Sequence, residues 1–182
     1  EEEEESEEGG KTAGQTTSAA AATQDCSTRL PPTTWTFVGK LGTGQYGEVT
    51  AWHGDDGMLV ATKTCEKHVG EREARILARA GLHPNIVALY DVKQAADDDL
   101  VHLYMQHCGR RTLFDLVQEA STTTVQTFHH ALLDVCRGLS QMHRLRIAHR
   151  DLKLENVVID DIDGTARLVD FGMACAYGEG QA

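Results

Sequence analysis

The sequence predicts an α+β fold in which an antiparallel sheet precedes a mainly helical part. Three observations lead there. Three strand-like runs follow one another between residues 35 and 64, separated by glycine-bearing turns. A helix-like run and two more strand-like runs come next. From residue 113 the pattern becomes helical, broken only by a short β segment. Strands segregated from helices in this way mark an α+β chain, not alternating βαβ units. A hydrophobic content of 41% in 182 residues can supply one core, with or without a tail.

Trp35–Leu41 and Glu48–His53 read as strands around a glycine-rich turn, and Gly54-Asp55-Asp56-Gly57 is a second turn. Met58–Thr64 completes a meander. Lys67–Ala80 is helical, with Ile76 and Leu77 on one face, and His83-Pro84 ends that segment because a residue before proline avoids the helical region. Ile86–Val92 and Leu100–Gln106 read as strands joined by the polar stretch Gln94–Asp99. Leu113–Glu119 is a short helix. In the next helix Val125, Phe128, Leu132, Val135, Cys136, Leu139 and Met142 form one apolar stripe, which predicts core packing. Val157–Ile159 and Ala166–Val169 are strands around the turn-rich hairpin Asp160–Gly164.

Charge divides the chain. Residues 1–34 hold eight acids against Lys11 and Arg29 in a low-complexity stretch opening on a Glu run, and too little apolar surface is present there to offset ordering entropy. That tail is expected to be disordered. The other 148 residues carry a net charge of only −5, with no basic footprint for nucleic acid. Five scattered cysteines without metal spacing predict free thiols in a reducing, cytoplasmic compartment. No leader or membrane-spanning stretch is visible.

Four groups of residues carry chemistry. Gly42, Gly44 and Gly47 in G-x-G-x-x-G-x-V let backbone approach phosphates, and a strand follows them where a dinucleotide site needs a helix. Lys63 closes the strand Val60-Ala61-Thr62-Lys63 and can reach the α- and β-phosphates. Its counter-charge is Glu73, one turn before Ile76 and Leu77; Glu71 points to a solvated face. In His149-Arg150-Asp151-Leu152-Lys153-Leu154-Glu155-Asn156, Asp151 can orient a hydroxyl and Lys153 can neutralise a phosphate. Asn156 and Asp170, the latter in Asp170-Phe171-Gly172, can hold Mg²⁺. His149 reads as a packed core residue and Arg150 as a partner for a phosphate or acid on a later loop. Asp160, Asp161 and Asp163 read as a turn.

Taken together these motifs resemble a eukaryotic protein kinase catalytic domain of the serine/threonine type, from Trp35 to the chain end. The resemblance implies a bilobal fold: an N-lobe at 35–105 with five antiparallel strands and one helix, a hinge at 106–109, and an incomplete, mainly helical C-lobe at 110–182. It implies ATP and Mg²⁺ as cofactors and a protein Ser/Thr hydroxyl as acceptor. Met105 would be the gatekeeper, and Gln106, His107 and Cys108 the hinge facing adenine. Leu41, Val49, Ala61 and Val158 would close the pocket, and Leu77, Leu89, His149 and Phe171 would stack as a spine. The wording leans to the calcium/calmodulin-dependent and AMP-activated group. Thr62, Gly109-Arg110-Arg111 and a slightly long hairpin before Asp170 depart from the pattern. No Ala-Pro-Glu follows Gly172, so the chain reads as a piece of a catalytic domain that exposes apolar surface. The alternative is a truncated, non-catalytic nucleotide- or partner-binding module of the same ancestry. Substrate and oligomeric state have no signature.

Overall fold

The architecture comes from a computed structural model, which describes residues 34–44, 47–96, 99–119, 121 and 123–178. The acidic tail expected to be disordered lies outside them apart from Thr34. Strands β1 (Trp35–Gly44), β2 (Gly47–Gly54), β3 (Leu59–Glu66), β4 (Leu89–Gln94) and β5 (Leu100–Gln106) form an antiparallel sheet in the order β1-β2-β3-β5-β4. The register is set by pairs such as Val49 with Lys63 and Ala61 with Met105. Because strand neighbours alternate faces, these pairs bring the ends of β2, β3 and β5 to one side of the sheet.

Helix α1 (Lys67–Ala80) packs on β3, β4 and β5 through Glu73, Ile76, Leu77 and Ala80. Its end falls at Gly81, whose φ of 68° lets its N–H turn back to Leu77 O. Pro84, three residues later, is not the stop. The strand expected over residues 86–92 is also displaced, to Leu89–Gln94. Ile86 and Val87 leave the sheet to bond the other half of the molecule: Val87 N–H donates to Leu168 O at 3.0 Å, and Leu168 N–H to Asn85 O at 3.0 Å.

Beyond β5 the chain forms α2 (Leu113–Gln118), α3 (Val125–Arg144), and the short pairs β6 (Ile147–Ala148) with β9 (Cys175–Ala176) and β7 (Val157–Ile159) with β8 (Ala166–Leu168). A capping box between Thr112 and Asp115 starts α2, and the Thr124 hydroxyl accepts from Thr127 N–H at the start of α3. Only part of the expected α3 stripe is buried. The buried line is Ala131, Gly138 and Met142, with Phe128, Val135 and Leu139 half covered. Val125 is 85% exposed and Leu132 55%. The helix rests on the two short strands β8 and β6, so contact covers less arc than the apolar stripe.

The core is continuous through both halves. Leu77, Leu103 and Met105 from the sheet side join Phe171, Leu168, Ile147 and Met142 from below. Each fully buried side chain of this size contributes about 1.5–3 kcal/mol of transfer free energy.

Candidate active site

Between the sheet and the β7–β8 pair lies a cavity of about 400 Å³. Leu41, Gly42, Gly44, Gly47, Val49 and Ala61 line it from the sheet, Met105, Gln106 and Cys108 from the link after β5, and Val158 from β7. Eleven of the twelve residues expected at a nucleotide site, Lys63 included, therefore share one cavity; His107 of the expected hinge is not among its lining residues. Gly47 has φ 131°, and a Cβ there would stand 2.2 Å from Thr64 O, so only glycine fits this turn into β2. Cβ atoms at Gly42 and Gly44 would meet nothing within 4 Å, which leaves open space over the cavity.

At the inner end, Lys63 Nζ donates to Glu73 Oε2 and to Asp170 Oδ1, both at 2.7 Å. Glu73 is 1% exposed and uses its other oxygen to accept Phe171 N–H at 3.2 Å. One carboxylate thus fixes both the lysine and the backbone of Asp170-Phe171-Gly172. Glu71 is exposed, as its helix position predicts. Burial pulls the Lys63 ammonium down, but Glu73 and Asp170 outweigh it and hold its pKa above the lysine value. Burial pushes Glu73 up against the pull of Lys63. The Lys63 direction follows from two carboxylates sharing one ammonium, and the Glu73 direction first from burial, with the charge of Asp170 adding to it.

At the outer end, Asp151 Oδ2 accepts from Lys153 Nζ at 2.8 Å and from Asn156 Nδ2 at 2.9 Å. These bonds, Lys153 first, keep the Asp151 carboxyl below the usual aspartate range. Asn156 Nδ2 also donates to Asp151 O, and Val169 N–H donates to Asn156 O at 3.0 Å, so Asn156 joins the Asp151 loop to the strand leading to Asp170. Arg150 and Asp170 adopt left-handed backbone, φ 64° and 57°. Left-handed non-glycine residues concentrate at functional sites. Arg150 donates to Met173 O at 2.7 Å; the phosphate or acid expected for it belongs to a later loop outside the described residues.

His149 is 3% exposed, donates through Nε2 to Val169 O and packs its ring 4.9 Å from that of Phe171. Burial lowers its pKa, so it stays neutral and structural. Asp160 and Asp163 are both spent on Arg167, at 2.9 and 2.8 Å, and form no cluster for a metal. Asn156 and Asp170 both line the cavity, and an oxygen from each fits the chemistry of Mg²⁺, which takes one or two protein oxygens with phosphate and water filling the rest. Burial pushes the Cys108 thiol up to about 12 and Cys65 up to about 11.

Sequence reading missed Arg110, Thr112 and Glu155 as cavity-lining residues, and the buried Arg167. Arg110 and Glu155 stand directly beside motif residues and could have been found by adjacency. Arg167 offers no such signal, because a lone arginine in a short strand normally faces water.

The family model described as protein kinase domain matches residues 35–182. The chain is 29% identical over 155 residues to NUAK family SNF1-like kinase 2 of Homo sapiens, covering 80% of this chain and 24% of that protein. It is 32% identical over 157 residues to serine/threonine-protein kinase ppk16 of Schizosaccharomyces pombe, covering 82% and 22%. It is also 32% identical over 176 residues to inhibitor of nuclear factor kappa-B kinase subunit beta of Bos taurus, covering 85% and 23%. The chain spans about a quarter of the length of the curated relatives it matches.

Proposed function

The chain belongs to the protein kinase domain family, and on that premise we propose that it transfers the γ-phosphoryl group of ATP to a Ser or Thr hydroxyl of a protein. The observation that supports this reading most is the double grip on Asp151 Oδ2 by Lys153 and Asn156. A carboxylate held ionised beside a lysine is suited to orient a hydroxyl for in-line attack and take its proton. The γ-phosphorus gains the hydroxyl oxygen and loses the bridging oxygen, which leaves with ADP.

In this reading each group has one task. Gly42, Gly44 and Gly47 admit the phosphates, and Lys63, steadied by Glu73, pairs with the α- and β-phosphates. Lys153 offsets charge on the transferring group, and the apolar walls at Leu41, Val49, Ala61, Met105 and Val158 take the adenine beside backbone groups of Gln106 and Cys108. Asn156 and Asp170 would hold Mg²⁺, which supplies charge neutralisation on the phosphate oxygens when bound. Positioning and electrostatics account for the catalysis.

The test is a peptide-array assay with labelled ATP, comparing the chain with Asp151→Asn. Transfer is expected to fall by about 10²–10⁴-fold while ATP binding persists. Equal transfer by both forms removes Asp151 from this role. ATP binding with no transfer by either form leaves the nucleotide-binding module as the correct description.

A further inference from the structure

Arg167 is 9% exposed and lies on β8 behind the link that joins the two halves of the molecule. Its guanidinium has three acceptors: Asp160 Oδ2 at 2.9 Å, Asp163 Oδ2 at 2.8 Å and the carbonyl of Pro84. Asp160 is itself 3% exposed, and the same Oδ2 accepts the side-chain amide of Gln106 at 3.2 Å. Asp161 N–H donates to Cys108 O at 3.2 Å, and a Cβ at Gly109 would stand 2.2 Å from the Asp161 carboxyl, so the hairpin also presses on the link one residue further along. On the other side, the segment that contains Pro84 returns through Ala88, whose carbonyl accepts Gln106 N–H at 2.8 Å. Gln106 is therefore held twice, by its side chain through Asp160 and by its backbone through the Pro84–Ala88 segment. Both routes meet at Arg167.

We propose that Arg167 is a positioning residue for the nucleotide site: through Asp160 it fixes Gln106 and the 106–109 link, and so sets how tightly the cavity holds adenine nucleotide. The inference rests on the reading of this cavity as an ATP site. A surface ion pair could not do this, because solvent screens it and its side chains wander. A buried fork that satisfies three acceptors in fixed directions can. Its effect belongs to the equilibrium between open and well-formed cavities, so it is felt in affinity and not in the transfer step.

The experiment replaces the pair by apolar groups of similar bulk, Arg167→Met with Asp160→Leu, in the full chain. Removing both charges together avoids leaving one of them buried and alone, and such swaps often leave stability unchanged. Binding of ADP and of ATP with Mg²⁺ is measured by calorimetry, melting temperature alongside, and the KM for ATP and kcat are separated with a peptide substrate. The expected result is a loss of at least about fivefold in nucleotide affinity, a raised KM for ATP, an unchanged kcat and a similar melting temperature. Arg167→Lys alone should recover part of the affinity, since an ammonium can reach Asp160 but cannot fork to all three acceptors. If the double variant does not fold, Gln106→Leu decides the matter. It leaves Arg167 and Asp160 paired, removes no backbone contact to adenine, and should weaken binding in the same way. Unchanged affinity in the folded double variant, or in Gln106→Leu, overturns the inference. A parent chain that binds no nucleotide at all overturns instead the ATP-site reading on which it stands.

Discussion

Lys63 Nζ and Asp170 Oδ1 lie 2.7 Å apart although 107 residues separate them. The pair runs from β3 to the loop after β8, so one ammonium bridges the sheet and the lower half of the molecule across the cavity. Glu73 supplies the second carboxylate from α1. Four expected outcomes follow from this arrangement and its surroundings.

Glu73→Ala should cost about 3 kcal/mol of unfolding free energy, the lower end for breaking a buried pair, because Asp170 still faces the lysine. The variant also leaves Phe171 N–H without its acceptor, so the loop after β8 should lose order. Urea denaturation measures the first effect and amide exchange at Phe171 the second. A loss well under 1 kcal/mol would show that Glu73 is dispensable to the fold.

Lys153→Met should move the acid limb of kcat/KM to higher pH. Lys153 is the largest influence holding the Asp151 carboxyl down, so its removal lets that group drift back toward the ordinary aspartate value of 3.8. The depressed carboxyl contributes stability that is present above 3.8 and lost as pH falls below it, so unfolding curves in acid should shift in the same direction. An unmoved limb would mean that Asp151 is not the group reporting there.

His149 should make the chain less stable in mild acid. Its folded pKa is lowered by burial, so the unfolded chain takes up the proton first, near 6.5, and stability declines as pH falls from that value. His83 and His107 are lowered in the same direction, also chiefly by burial, and add to the slope. His149→Gln should therefore flatten the pH dependence only in part while lowering stability throughout. Melting temperatures taken across the range decide it, and an identical slope in the variant contradicts the assignment.

Gly47→Ala and Gly44→Ala should separate folding from binding. At Gly47 the left-handed backbone and the approach of Thr64 O make any Cβ costly, about 1–3 kcal/mol. At Gly44 the space is open, so melting should hold within about 0.5 kcal/mol while nucleotide affinity drops, because the new methyl intrudes where phosphates approach. Loss of stability in both, or affinity loss in neither, would break the distinction.

The sequence made α1, β2, β3, β5 and the β7–β8 hairpin legible because each has its own periodicity or composition, and glycine-bearing turns bound β2, the start of β3, the end of α1 and the hairpin. It misplaced β4 because Ile86 and Val87 have strand-like side chains, but the segment from Asn85 to Val87 is claimed by Ala166 and Leu168, partners some 80 residues away that no local window contains. It overstated the buried arc of α3 because apolar periodicity gives a direction and not the width of the surface that meets it. Lys63, Glu73, Asp151, Asn156 and Asp170 were findable since their spacing is itself the signal. Arg167 was not, because its burial depends on acceptors drawn from Pro84, Asp160 and Asp163 at once.

The raised thiol of Cys108 has a practical bearing on chemical labelling. A cysteine on the wall of a cavity invites electrophilic probes, yet at neutral pH almost none of this thiol is in the nucleophilic thiolate form. Among the cysteines of the described residues, maleimides and chloroacetamides should therefore mark the exposed Cys136 on α3 first and pass Cys108 by. A probe meant for the cavity wall must gain its selectivity from long residence beside Met105 and Val158, and not from the appetite of the sulfur.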